Sequence, residues 1–341
     1  RPRAQPLPTQ RPMEPASAGP PGTRRRRAAL AVLCRTAWLP QPAGPGRGRA
    51  AADEPFEDYA VCLLRAPGQP AAEAGFPGGP LDLADVALAR ANIVDGSDPG
   101  PLALRIAAIR RTFEDAGMLV AGRPPPSFAR AALRDVLRRE GPAAFTAFLD
   151  DWGIGLQPGT IWPLLHFVVP GSAEESHVFL AQAPDAEEPS FASAGSSVDG
   201  EVIWVRPSEA LRLHQQCHLE LHLPDWYVMN FLHAHLRDLS GLPDLIASEP
   251  CAGLRDCCLD ARELPGALAS SSGRTWFLLP GDEAHPAQPG QIGHLHRILV
   301  EPSAVAQGGF RALAAEGGPP PSAATLRGTS QASPPDRPAR L

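Results

Sequence analysis

The chain has 341 residues, of which 43% are apolar, and its formal net charge is −6. That length supports one large core or two ordinary ones, the negative charge gives no ground for nonspecific nucleic-acid binding, and the lack of a long apolar run excludes a helical membrane span. All 31 basic residues are arginine, and with 41 prolines and 32 glycines this marks a strong compositional bias.

The first 23 residues are rich in Pro, Ala, Gly and Arg, without apolar periodicity, and are expected to be disordered. Before Asp53 the arginine-rich start carries a single acid, Glu14, a pattern that permits a mitochondrial presequence. Arg26 to Val32 reads as a strand, and so does Tyr59-Ala60-Val61-Cys62-Leu63-Leu64-Arg65. A Pro/Gly/Ala-rich loop then leads to Phe76-Pro77-Gly78-Gly79-Pro80-Leu81-Asp82. Ser97 and Asp98 offer a cap and Pro101 suits a first helical turn. From there Leu102, Ile106, Ile109 and Phe113 recur at helical spacing, predicting a helix over about 101–117. Phe128, Ala132, Val136 and Leu137 form the apolar face of a further helix, with Arg130, Arg134, Arg138 and Arg139 on its solvated side. Glu201 to Val205 is a strand entering a helix at Pro207.

His214, Cys217, His218 and His222 stand at helical intervals and read as a polar face rather than a zinc site. His294 and His296 alternate as on a strand and are assigned to packing. The cysteines at 34, 62, 217, 251, 257 and 258 have no paired C-x-x-C spacing and read as reduced thiols. From residue 317 the chain is again Pro/Ala/Ser-rich, and it ends on Ala339-Arg340-Leu341, a variant of the S-K-L import tripeptide.

The segment from Gly96 to Met118 carries the chemistry. It resembles the Nudix box, G-x5-E-x7-R-E-U-x-E-E-x-G-U with U apolar. Gly96, Arg110, Glu114, Gly117 and Met118 fall on matching positions. Four positions depart: Leu102 for the upstream Glu, Arg111 for the Glu after the box Arg, Thr112 for the apolar residue, and Asp115 for the final Glu. On a helix, positions 111, 114 and 115 converge. Three carboxylates there would repel one another unless divalent cations held them, and hard Mg²⁺ or Mn²⁺ suits oxygen ligands. Here Glu114 and Asp115 remain, while Arg111 can pair with Asp115 and Arg110 with Glu114. Arginine keeps its charge near neutral pH, so Arg111 adds a positive charge as well as removing a ligand.

Around the box, the strand ending in Leu63, Leu64 and Arg65, then Gly75, then Phe76 to Gly79, followed downstream by Glu201 to Ala210, Leu221 to Tyr227 and Leu278 to Glu283, resembles the peroxisomal acyl-coenzyme A diphosphatases of the Nudix superfamily. The resemblance spans roughly residues 24 to 300. It implies an α/β Nudix fold, a mixed β-sheet sandwiched between α-helices, with a Nudix domain over 24–245, an extension over 246–316 packing on it, and a tail over 317–341. It implies hydrolysis of coenzyme A or acyl-coenzyme A to 3′,5′-ADP and a phosphopantetheine product. Glu114 and Asp115 would hold Mg²⁺ or Mn²⁺, with Glu201 a further ligand or base. Arg110 would orient Glu114, and Arg65, Gly78 and Gly79 would contact substrate. One or two arginines of the helix after the box would hold the 3′-phosphate in a minority reading. The implied location is the peroxisome, reached by an import receptor reading the C-terminal tripeptide, with the mitochondrion as the alternative. A noncatalytic protein that keeps the fold and binds nucleotide is the competing class, and a Nudix enzyme for another nucleoside diphosphate is a third.

Overall fold

The computed structural model describes residues 25–35, 57–65, 72–93, 96–120, 127–170, 172, 174–183, 201–256, 258–263, 274–280, 282–287, 289–290, 296–302 and 310–317. Residues 1–24 and 318–341, with the C-terminal tripeptide, lie outside the described residues, as does His294; of the start read as a permissible presequence only 25–35 is described.

The chain opens on strands β1 (Arg25–Arg35), β2 (Tyr59–Arg65), β3 (Ala72–Gly75) and β4 (Gly78–Pro80). Helices α1 (Leu83–Ala91), α2 (Gly100–Ala116), α3 (Ser127–Glu140) and α4 (Ala143–Asp151) follow. Next come β5 (Trp162–Val168), β6 (Glu174–Gln182), β7 (Glu201–Val205), α5 (Pro207–Gln215), β8 (Leu219–Leu221) and α6 (Leu223–His235). The last part runs through α7 (Leu242–Ala247), α8 (Glu249–Asp256), β9 (Cys258–Asp260), β10 (Arg262–Glu263), β11 (Thr275–Leu278), β12 (His296–Pro302) and β13 (Phe310–Gly317).

Strands β1 to β9 form one nine-stranded sheet, and β10 to β13 a four-stranded antiparallel one. The large sheet is mixed. Its central strand β1 runs parallel to β6 and antiparallel to β2 and β4. Successive side chains of a strand point to opposite faces, and the apolar run of β1 therefore feeds two cores. Ala28, Leu30 and Val32 pack with Ile109 and Phe113 of α2, Leu137 of α3 and Phe145 and Phe148 of α4. Ala29, Ala31 and Leu33 face α5 to α8 and the inner side of the small sheet through Phe277, Ile298 and Val300. The fold class is thus α/β, with a mixed sheet between helices. A strand buried on both faces explains why its sequence reads as a continuous apolar stretch without alternation.

Helix α2 occupies the predicted span to within a residue. Its N-terminal amide at Gly100 is bound by Asp98 Oδ1 at 2.9 Å, Pro101 sits in the first turn, and Gly117 closes the helix at φ +73°, a left-handed conformation suited to glycine. Helix α1 begins at a reciprocal cap. Asp82 Oδ1 accepts from the Ala84 amide at 2.9 Å, and Asp85 Oδ2 accepts from the Asp82 amide at 3.0 Å. This cap aims the Asp85 carboxylate from the first turn of α1 into the interface with α2.

Candidate active site

The box helix delivers its charged residues to a point beneath β4. The guanidinium of Arg110 is fully buried. Its Nε and Nη2 donate to the two oxygens of Asp85 at 2.8 and 2.7 Å, and its Nη1 donates to Glu114 Oε1 at 2.8 Å. Burial alone would lower the Arg110 pKa, but the hydrogen bonds and charges of Asp85 and Glu114 more than reverse it and lock in the cation. The expected role of Arg110, orienting Glu114, is what this geometry can do. Asp85 is the partner that sequence spacing did not reveal.

Arg111 takes the other oxygen of Glu114, with Nη1 3.0 Å from Oε2. The expected pairing with Asp115 one turn on is replaced by this contact at three residues' spacing, because Glu114 lies between the two guanidinia. Arg111 still acts on Asp115 through its charge. Its side chain lies against Gly79, where a Cβ would fall 2.7 Å from Nε, and that Nε is buried without a hydrogen-bond partner among the described residues. Gly79 is therefore needed for the close approach of Arg111, and Gly78 contributes its backbone N–H to Asp115. Burial first pushes Asp115 from its ordinary 3.8 up to about 6, with the charge of Arg111 opposing the rise.

Arg134 departs from the solvated face assigned to it. Its Nε donates to the Glu114 carbonyl at 2.9 Å and its Nη2 donates to the Asp115 carbonyl. These are carbonyls of the last helical turn, which have no partner within the helix, so a half-buried arginine from α3 completes them. Asp85, Glu114 and Asp115 thus stand among Arg110, Arg111 and Arg134. Charges that would attract a divalent ion are already balanced inside the protein.

The other sequence-predicted site residues fall elsewhere. Arg65 and Glu201 are register partners at the ends of β2 and β7, and they pair with each other while remaining largely exposed. Beside Gly78, a cavity of about 180 Å³ is lined by Arg27, Leu64, Glu73, Phe76 and His222. Under its floor lies Asp225 of α6, fully buried. Its Oδ2 accepts from the Phe76 amide at 3.1 Å, and its Oδ1 has no hydrogen-bond partner among the described residues. Burial raises its pKa, with Arg27 and His222 opposing. Gly75 makes room for this carboxyl, since a Cβ there would stand 2.6 Å from Oδ2. The sequence signal for Asp225 was its place in Leu-Pro-Asp-Trp at a helix start, which by itself assigns no partner. His214 is buried, with Nε2 2.8 Å from the Ala312 carbonyl and Nδ1 accepting from the Leu221 amide. His296 is buried beside Tyr227. His296 serves packing as expected, whereas His214 departs from the polar face assigned to it, because its ring is buried between the Ala312 carbonyl and the Leu221 amide. Among the described residues Cys62, Cys217, Cys251 and Cys258 form no disulfide, and the Cys34 side chain and Cys257 lie outside them.

A mixed sheet between helices, with a Phe-Pro-Gly-Gly turn over a helix that pairs Arg110 with Glu114, places this chain in resemblance to the Nudix hydrolases. The chain is similar to an acyl-coenzyme A diphosphatase of Gallus gallus, 28% identical in an alignment of 219 residues that covers 57% of this chain and 55% of that protein. It spans about half the length of the relative it matches. No family model matches the chain. Among solved structures, a Nudix hydrolase from Alicyclobacillus acidocaldarius is 22% identical, with 62% of this chain and 91% of that one covered at a TM-score of 0.45. An E. coli protein solved in solution is 14% identical, with 63% and 94% covered at a TM-score of 0.28.

Two outcomes follow. Asp85→Ala leaves the Arg110 guanidinium buried with half its partners and should cost about 3–5 kcal/mol in urea unfolding; a loss below 1 kcal/mol would show that the pair does not hold α1 to α2. Asp115, raised in the folded state, takes up more protons folded than unfolded, so it should cost stability as pH rises from about 4 to 6. Urea midpoints of Asp115→Asn should fall less steeply than those of the natural chain over that window, and equal slopes would contradict the assignment.

Proposed function

We propose that the chain is a Nudix-type diphosphatase whose substrate is the diphosphate of coenzyme A or acyl-coenzyme A, cleaved to 3′,5′-ADP and (acyl-)phosphopantetheine, with turnover strongly reduced by Arg111. The substrate class comes from the similarity to the acyl-coenzyme A diphosphatase. The reduction rests on one observation: both oxygens of Glu114 are engaged by guanidinia.

A divalent ion, Mg²⁺ or Mn²⁺ by the resemblance, would neutralise the diphosphate and activate water. The residues as they stand do not fit it. Glu114 has no free oxygen, Asp115 favours its proton more than an ordinary carboxyl, and Arg111 brings a fixed positive charge to the place where the ion would sit. A guanidinium can attract a phosphate oxygen, but it cannot lower the pKa of a water molecule as a metal ion does. In this reading Arg110 holds Glu114 in place, Gly78 and Gly79 form the turn facing the substrate, and the pair Arg65–Glu201 borders the sheet end, with Arg65 for substrate and Glu201 as a further ligand or base once freed. Peroxisomal import through the C-terminal tripeptide belongs to the same proposal.

The double engagement of Glu114 also favours a second reading, a protein that retains the fold and binds nucleotide without cleaving it. Release of 3′,5′-ADP from coenzyme A and a medium-chain acyl-coenzyme A, with Mg²⁺ or Mn²⁺, separates the two. Arg111→Glu should raise the rate on the order of a hundredfold or more over the natural chain, the scale of one lost transition-state contact. No gain in the variant would remove the diphosphatase reading and leave the binding one.

A further inference from the structure

A second cluster of metal-ligating side chains lies across the sheet from the box. At the β5–β6–β9 edge, His166 is the register partner of His177 in the antiparallel pair and of Cys258 in the parallel pair. Glu175 precedes His177 by two residues and shares its face. The imidazoles stack at 4.1 Å between centroids. His166 Nε2 is 3.5 Å from Glu175 Oε2, His177 Nε2 is 3.5 Å from Glu175 Oε1, and Cys258 Sγ is 3.8 Å from His166 Nε2. Tetrahedral zinc with bonds of about 2.0–2.3 Å holds its ligand atoms about 3.4–3.6 Å apart. Ligand atoms of His166, Glu175 and His177 already lie within 4.8 Å of one another, so small side-chain shifts would close these three on one ion, whereas Cys258 Sγ lies outside that trio, beside His166, and must swing inward to become a fourth donor.

The surroundings favour coordination. Glu175 is anchored by Arg26, whose Nε lies 2.8 Å from Oε1, the kind of outer contact that orients a ligating carboxylate. Two imidazoles, a carboxylate and a thiol suit zinc, whereas magnesium requires an octahedron of oxygens. The register also separates this cluster from the box. Gly79, Ala28, His177, His166 and Cys258 form one row across the sheet, so the histidines start two strands away from the glycine that Arg111 covers.

We propose that His166, Glu175, His177 and Cys258 bind one zinc-class transition-metal ion, which ties the three-residue strand β9 to β5 and β6. This site requires nothing of the box and stands apart from the diphosphatase reading.

The test is titration of the chelator-stripped full chain with Zn²⁺ in excess Mg²⁺, alongside Co²⁺ as a spectroscopic probe. One equivalent of Zn²⁺ should bind and raise the melting midpoint. His177→Gln and Glu175→Gln, which nearly keep side-chain volume, should each weaken binding at least tenfold, while Asp115→Asn in the box leaves it unchanged. Co²⁺ should give tetrahedral visible bands and a thiolate charge-transfer band that Cys258→Ser abolishes. Metal-free melting curves identify any variant that fails to fold, and the remaining variant then decides. Absence of stoichiometric binding, unchanged affinity in a folded His177→Gln or Glu175→Gln variant, or loss of binding in Asp115→Asn would overturn the site. A charge-transfer band surviving in Cys258→Ser would overturn the thiol as fourth donor.

Discussion

The buried guanidinium of Arg110 is the point on which the rest of the candidate site depends. A fully buried cation is tolerable only when its hydrogen bonds and charge are answered, and here Asp85 and Glu114 answer them together. Asp85 is at once part of the cap of α1 and a bidentate partner of Arg110, so the cap fixes where the guanidinium can lie. The guanidinium in turn fixes one oxygen of Glu114. Every other feature of the box, including the reach of Arg111 to the second oxygen, follows from Glu114 being held in that one orientation.

Arg111 converts this frame from an open carboxylate cluster to a closed ion network. With Arg110 and Arg134 it balances Asp85, Glu114 and Asp115, and it lies against a glycine that leaves it room. The change is compatible with stability, because an arginine between carboxylates removes a repulsion that metal ions would otherwise have to relieve. In the proposed reading the same packing preserves the fold while leaving Glu114 to guanidinia in place of a divalent ion.

Local pattern carried much of this structure. The strand Tyr59–Arg65 is found at the residues where its apolar run predicts it, and α2 lies within a residue of the span given by Pro101 and the Leu102-to-Phe113 stripe. The pairing of Arg110 with Glu114 was legible because one helical turn sets it. Contacts between elements were not. Asp85 reaches Arg110 across 25 residues of sequence, and Arg134 turns inward to the end of α2 although its helix reads as a basic solvated face. The cluster of His166, His177 and Cys258 depends on strand register over 92 residues, whereas the helical series His214 to His222, conspicuous in sequence, disperses into packing and turn positions.

The account turns on whether Arg111 keeps divalent ions off Glu114 and Asp115. Electron paramagnetic resonance titration of Mn²⁺, run on the natural chain and on Arg111→Ala, measures this without substrate or turnover. The account predicts that removing the guanidinium tightens Mn²⁺ binding at least tenfold, the scale of one close charge contact. Equal affinity in the two proteins would contradict it, and would mean that Arg111 is a bystander to the metal site.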